Sequence, residues 1–148
     1  MDRAKSLSRL QKLCSKAEYC RQDVYRKALK DLEGDAQAAQ EVVEDLVRER
    51  YVDDARYAAA FAREKASLQG WGPVKIRFQL RGKGISDGDI STALAEIDSA
   101  KADARLEKLL QEKRRTLEGD PQCRLKLIKF ALSRGYDYDA VEAALKKK

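Results

Sequence analysis

Apolar residues recur every three to four positions along almost the whole chain, and strict alternation is nearly absent. The sequence therefore predicts helices and no sheet. Leu7, Leu10, Cys14 and Ala17 lie on one face of a first helix. Val24, Ala28 and Leu32, with Tyr25 and Leu29, make a second, and Gly34 closes it because glycine adopts the left-handed conformation past a helix end. Ala39, Val42, Val43, Leu46 and Val47 give a third, ending before Tyr51. Asp53 and Asp54 open a fourth, with Tyr57, Ala58, Phe61, Ala62, the stem of Lys65 and Leu68 on its core face. Gly70-Trp71-Gly72-Pro73 is the clearest break, and Pro73 suits the first turn of a fifth helix. That helix carries Ile76 and Leu80, flanked by Val74 and Phe78, and stops at Gly82 or Gly84. Ser86 and Asp87 cap a sixth, which buries Ile90, Ala93, Leu94 and Ile97. A long seventh starts near Ser99, with Ala102, Leu106, Leu109, Leu110 and Leu117 as its stripe, and Gly119-Asp120-Pro121 breaks it. Leu125, Ile128, Ala131 and Leu132 mark an eighth, ended by Gly135. Tyr138, Val141, Ala144 and Leu145 mark a ninth, running into Lys146, Lys147 and Lys148.

One pattern occurs three times. Leu80 to Ile85 is followed by Ile90 and Leu94, and Ala131 to Tyr136 is followed by Val141 and Leu145. In both, the apolar positions fall six and ten residues after the glycine (Gly84, Gly135). A looser copy runs from Leu29 to Gly34 and on to Val42 and Leu46, with two extra residues after the glycine. The anchors Leu46, Leu94 and Leu145 are 48 and 51 residues apart. A period near 50 predicts a tandem array of one supersecondary unit. The expected fold is all-α: three three-helix repeats over 1–50, 51–98 and 99–148, stacked into an elongated, gently curved array of either hand.

Composition narrows the function more than the fold. The chain has no histidine and three cysteines, Cys14, Cys20 and Cys123, without metal-ligand spacing. Zinc and the usual general base are therefore not expected, and the cysteines read as reduced packing residues. No nucleophile motif stands out, so neither catalysis nor a cofactor is expected. No apolar run approaches the length needed to span a bilayer, and the first residues lack the apolar core of a signal peptide. A soluble, cytoplasmic monomer is expected. The net charge of +6 is uneven: residues 1–50 carry 11 basic and 10 acidic side chains, 51–98 seven of each, and 99–148 thirteen against eight. A modest positive field steers a protein toward phosphates or an acidic partner, and equally serves as a solubilising surface.

Two basic sets are candidate contacts. Lys75, Arg77, Arg81 and Lys83 crowd the fifth helix with no acid among them, and Arg77 and Arg81 share a face. Trp71 precedes them, placed to stack on a base, anchor an interface, or pack between helices. Arg56 and Arg63 either pair with Asp53 and Asp54 or face a partner. The second set is Lys113, Arg114, Arg115, Arg124, Lys126, Lys129 and Arg134 with the three final lysines. Arg124 and Lys126 do not share a face, so no single stripe results. Glu41, Glu44, Asp45 and Glu49 oppose DNA contact by the third helix and are placed to hold nearby cations instead.

Tyr51-Val-Asp-Asp-Ala-Arg-Tyr-Ala58, then Gly70-Trp-Gly72, then Ile76 to Leu80 and Lys83-Gly-Ile85, strongly resembles the RecX family of bacterial regulatory proteins that act on the RecA recombinase. Phe130 to Val141 looks like that family's third repeat. The resemblance is loosest before residue 24. It departs mildly from the family at Tyr57, where phenylalanine is usual, and in the longer link from Glu33 to Ala38. It implies three tandem three-helix repeats. It also implies a non-enzymatic regulator that lies in the groove of the RecA–single-stranded DNA filament and mainly depresses its ATPase, strand exchange and coprotease activities. An alternative is a small basic DNA-binding protein acting independently of a recombinase through a helix-turn-helix-like pair. The zero net charge of 51–98 and the lack of a base-reading helix argue against it. A helical scaffold for an unrelated protein is a third option.

Overall fold

Carboxylates start most of the helices and left-handed residues stop several of them. The computed structural model of the chain describes residues 1–147, so Lys148, the last of the basic residues named above, lies outside the described residues. Among those residues there are nine α-helices and no strand. They are α1 (Arg3–Lys16), α2 (Arg21–Asp31), α3 (Ala36–Arg48), α4 (Asp54–Ser67), α5 (Pro73–Gly82), α6 (Asp87–Ala95), α7 (Ser99–Thr116), α8 (Cys123–Ser133) and α9 (Tyr138–Lys146). The side chains of Asp2, Asp35, Asp53, Asp98 and Asp137 each accept a hydrogen bond from an N–H in the first turn that follows. Those N–H groups have no partner inside the helix, and the carboxylate also meets the positive end of the helix dipole.

The ends of α5 and α8 are built alike. Gly84 and Gly135 stand at φ +76° and +96°, and each donates back to the third residue before it, Arg81 and Leu132. The buried residues after them, Ile85 and Tyr136, donate to Leu80 and Ala131. This paired closure satisfies carbonyls the helix leaves open and turns an apolar side chain back onto the core. At the end of α2 Gly34 takes the expected left-handed conformation, at φ +88°, and its N–H donates to the Leu29 carbonyl at 2.8 Å. Glu33 just before it, at φ 54°, is a second left-handed residue there.

The chain packs as two compact units. One comprises Met1–Ala60 with Leu80–Thr92, the other Phe61–Gln79 with the residues from Ala93 on. The core of the first is Leu10, Val24, Ala28, Ala39, Val42, Val43, Leu46 and Val52. In this unit Asp53 accepts from Arg56 N–H and caps α4, while Asp54, which the sequence also places as a cap for α4, accepts from Arg21 N–H at 2.8 Å at the start of α2. The Cys20 thiol, buried and pushed up to about 11 by desolvation, donates to the Lys83 carbonyl, and Lys83 pairs with Asp23 at 2.9 Å. The core of the second unit is Leu106, Leu110, Leu127, Ala131, Tyr136, Val141 and Leu145.

Leu68, expected on a core face, is 76% exposed, because it falls after the last residue of α4. Val74, Phe78, Leu125, Leu132 and Tyr138 are also exposed, so the apolar stripes of α5, α8 and α9 are narrower than their apolar residues suggest.

Candidate nucleic-acid interface

The turn Gly70-Trp71-Gly72 leaves α4 and enters α5, and both of its glycines are needed. Gly70 sits at φ +70°. Gly72 lies so close to α8 that a Cβ there would meet the Gly135 carbonyl oxygen at 2.4 Å. Gly72 N–H donates to the Arg134 carbonyl and Val74 N–H to the Gly135 carbonyl, both at 2.8 Å. The open carbonyls ending α8 thereby satisfy open N–H groups starting α5. Tyr136 adds a hydroxyl hydrogen bond to the Gly70 carbonyl at 3.3 Å.

This contact brings two cation–aromatic clusters of the second unit together. In the first, Trp71 stands edge-on to Phe61, with centroids 6.1 Å apart and planes at 67°. Lys65 Nζ lies 5.1 Å from the Trp71 centroid and 5.4 Å from that of Phe61, and Lys75 Nζ lies 4.5 Å from Trp71. In the second, Phe130 is flanked by Lys113 Nζ at 4.9 Å and the Arg134 guanidinium at 4.8 Å. Each such contact contributes about 0.5–1 kcal/mol at an exposed site. None of these four cations forms an ion pair among the described residues. Their charge stays available, and the rings restrict where it sits. Un-neutralised cations beside aromatic faces are what a single-stranded nucleic acid requires, phosphates meeting the cations and bases the rings.

The other predicted residues divide sharply. Arg56 pairs with Glu18 at 2.6 Å, not with the aspartates, and also donates to the carbonyls of Arg50 and Tyr51 in the turn that follows α3. Lys83 is half-buried against Asp23, and Arg81 makes an exposed pair with Asp87 at 3.0 Å. Arg124 donates to both oxygens of Glu142, and Lys126 pairs with Asp120 at 2.6 Å. Arg63, Arg77, Arg114, Arg115 and Lys129 have no ion pair among the described residues. Arg114 and Arg115 line a cleft of about 500 Å³, shared with Glu118, Asp120 and Cys123. On α3, Glu41 holds Arg3, Asp45 holds Arg48 and Glu49 accepts from Gln11, so three of its acids are engaged within the first unit.

Lys65, Phe61 and Phe130 fall outside the predicted contact residues. A signal for them exists in the sequence: Phe61 and Lys65, like Phe130 and Arg134, are separated by four residues, the spacing that puts two side chains on one helix face. Among the described residues, no group of three or more His, Cys, Asp or Glu is arranged to hold a metal, and no helix is long and apolar enough to cross a membrane.

Residues 53–94 match the family model described as RecX, second three-helix domain. Among curated proteins, the chain is 31% identical over 110 residues to a regulatory protein RecX of Streptococcus uberis, covering 70% of this chain and 40% of the relative. It is 29% identical over 109 residues to one of Bacillus mycoides, covering 72% and 40%. The match thus spans about two fifths of the length of these relatives. A crystal structure of a regulatory protein RecX superposes with TM-score 0.88 at 25% identity, over 99% of this chain and 72% of the other. That of RecX from Lactobacillus salivarius gives 0.85 at 20% identity, over 98% and 95%, a likeness of fold.

Proposed function

The chain belongs to the RecX family, and on that premise we propose that it is a regulatory protein that binds the RecA–single-stranded DNA filament in its groove and mainly inhibits its ATPase, strand exchange and coprotease activities. The same reading takes 1–50, 51–98 and 99–148 as successive repeats and the protein as a non-enzymatic modulator. The observation that carries it is the pair of cation–aromatic clusters around Trp71 and Phe130, joined through Gly72 and Arg134. Four cations without acid partners, held against rings, suit a phosphate-bearing strand that is already partly enclosed by protein. A body lying along a groove hinders the subunit rearrangements of hydrolysis and excludes other substrates of the filament.

The test is titration of the purified chain into RecA with single-stranded DNA at low salt. DNA-dependent ATP hydrolysis is expected to fall at near-equal or lower ratios. Unchanged hydrolysis together with unchanged strand exchange would overturn the proposal. Tight, sequence-specific duplex binding without recombinase would favour the independent DNA-binding protein instead.

A further inference from the structure

Helix α5 has a second face that the clusters above do not use. Its buried residues are Ile76 and Leu80, both fully inaccessible. At 100° per residue, Phe78 lies about 160° around the helix from each of them. It is accordingly 71% exposed, and Val74, one turn before it, is 52% exposed. Arg77 stands at the edge of that face, about 60° around the helix from both Val74 and buried Leu80. It is half-buried and has no ion pair among the described residues. Val74, Arg77 and Phe78 stand at i, i+3 and i+4, the spacing by which one helix seats side chains in a partner's groove. Lys75 is turned elsewhere, onto the Trp71 ring.

We infer that Val74, Arg77 and Phe78 form a protein-docking face, whose partner is a protein surface with an apolar pocket for Phe78 and carboxylates at its rim for Arg77. The helix itself carries no Asp or Glu, so an acidic rim meets no like charge on it. An aliphatic residue beside the aromatic one favours a side-chain pocket over nucleic acid, because Val74 has no π-face on which a base can stack. An aromatic ring beside an arginine is also the composition of interface hot spots. This inference rests on the filament reading and deepens it. The protein component of the filament meets the outer face of α5, while its DNA meets the Trp71 and Phe130 clusters.

The test compares Phe78→Ala, Arg77→Glu and the unaltered chain on two probes: RecA filament preassembled on oligo(dT) with a non-hydrolysable ATP analogue, and oligo(dT) alone. Circular dichroism melts check folding, which the exposure of Phe78 predicts to be unchanged. Each substitution is expected to weaken filament binding at least about ten-fold. Phe78→Ala is expected to leave oligo(dT) affinity within about two-fold, since it removes no charge. Filament binding that Phe78→Ala does not alter would overturn the docking face while leaving the filament reading intact. Equal loss on both probes would overturn it in favour of a nucleic-acid surface. An unaltered chain that fails to bind the filament would overturn both.

Discussion

Both units pair some cations with acids, but most of the cation–ring contacts lie in the second. In the first, Lys83 is held by Asp23, Arg56 by Glu18, Arg9 by Asp31 and Arg81 by Asp87. In the second, Arg124, Lys126 and Lys147 are held by Glu142, Asp120 and Glu107, but Lys65, Lys75, Lys113 and Arg134 lie over aromatic rings, and Arg63, Arg77, Arg114, Arg115 and Lys129 have no ion pair among the described residues. The closures between elements differ in the same sense. Lys83 and Asp23 seal one through side chains, whereas Gly72 and Gly135 seal the other through bare backbone. A backbone seal leaves the neighbouring side chains free for other work, and charge left un-neutralised beside rings is charge offered to a partner. On the proposed function, the ring-bound cations of the second unit are the ones offered to a partner.

The largest effect should come from the backbone seal. Gly72→Ala places a Cβ 2.4 Å from the Gly135 carbonyl oxygen and 2.6 Å from Tyr136 N, neither of which is the end of a flexible side chain. Urea unfolding should show a destabilisation of about 3 kcal/mol. Gly82→Ala, with nothing within 4 Å of its Cβ, should change stability by less than about 1 kcal/mol and toward greater stability. Similar destabilisation by both would show that the close approach is not what constrains Gly72.

The side-chain seal should matter less. Lys83→Met strands Asp23, whose side chain is 17% exposed, and should cost about 1–2 kcal/mol, reduced because solvent screens the 38% exposed lysine. This pair also ties stability to pH. Burial works to raise the Asp23 carboxyl, but hydrogen bonds from Lys83 and Cys20 outweigh it and hold the group below its ordinary 3.8. Held low in the folded state, it contributes stability that is complete above that value and is lost as pH falls further, through the folded value. Lys83 is held above its ordinary 10.5, chiefly by the hydrogen bond to Asp23, so its contribution is complete below 10.5 and is lost at higher pH. The gap between the unaltered chain and Lys83→Met should therefore be flat across neutral pH and narrow at both extremes. A gap that closes near neutrality would refute this account.

The smallest expected change is in a salt slope. Replacing Lys65 and Lys75 with alanine should reduce the slope of log affinity for oligo(dT) against log salt by about 1.4, or about 0.7 for each phosphate that the protein no longer neutralises. Arg81→Ala in the first unit should leave that slope unaltered and stability within about 1 kcal/mol, as its pair with Asp87 is exposed. A slope that responds to Arg81 and not to the two lysines would reverse the comparison.

Apolar periodicity, with Gly, Pro and Asp start and stop signals, placed the nine helices of the described residues, because amphipathic spacing and end signals are local and survive in a single sequence. Of the anchors, Leu46 is fully buried and Leu145 nearly so, while Leu94 is half-buried; the accompanying Val42, Ile90 and Val141 are fully buried for the same reason. What a cation does is not local. Arg56, Lys83 and Arg124 look as available in the sequence as Arg77 and Arg114, yet each is engaged by an acid 18 to 60 residues away. Cys20, whose partner Lys83 lies 63 residues on, and Gly72, which meets Gly135, are equally silent in the sequence. The chain by itself dictated where helices start, stop and hide their apolar faces, since those choices depend on neighbours three or four residues away. Only the tertiary structure decided which charges are neutralised and which remain exposed, because an ion pair or a ring contact depends on distances in space that packing sets.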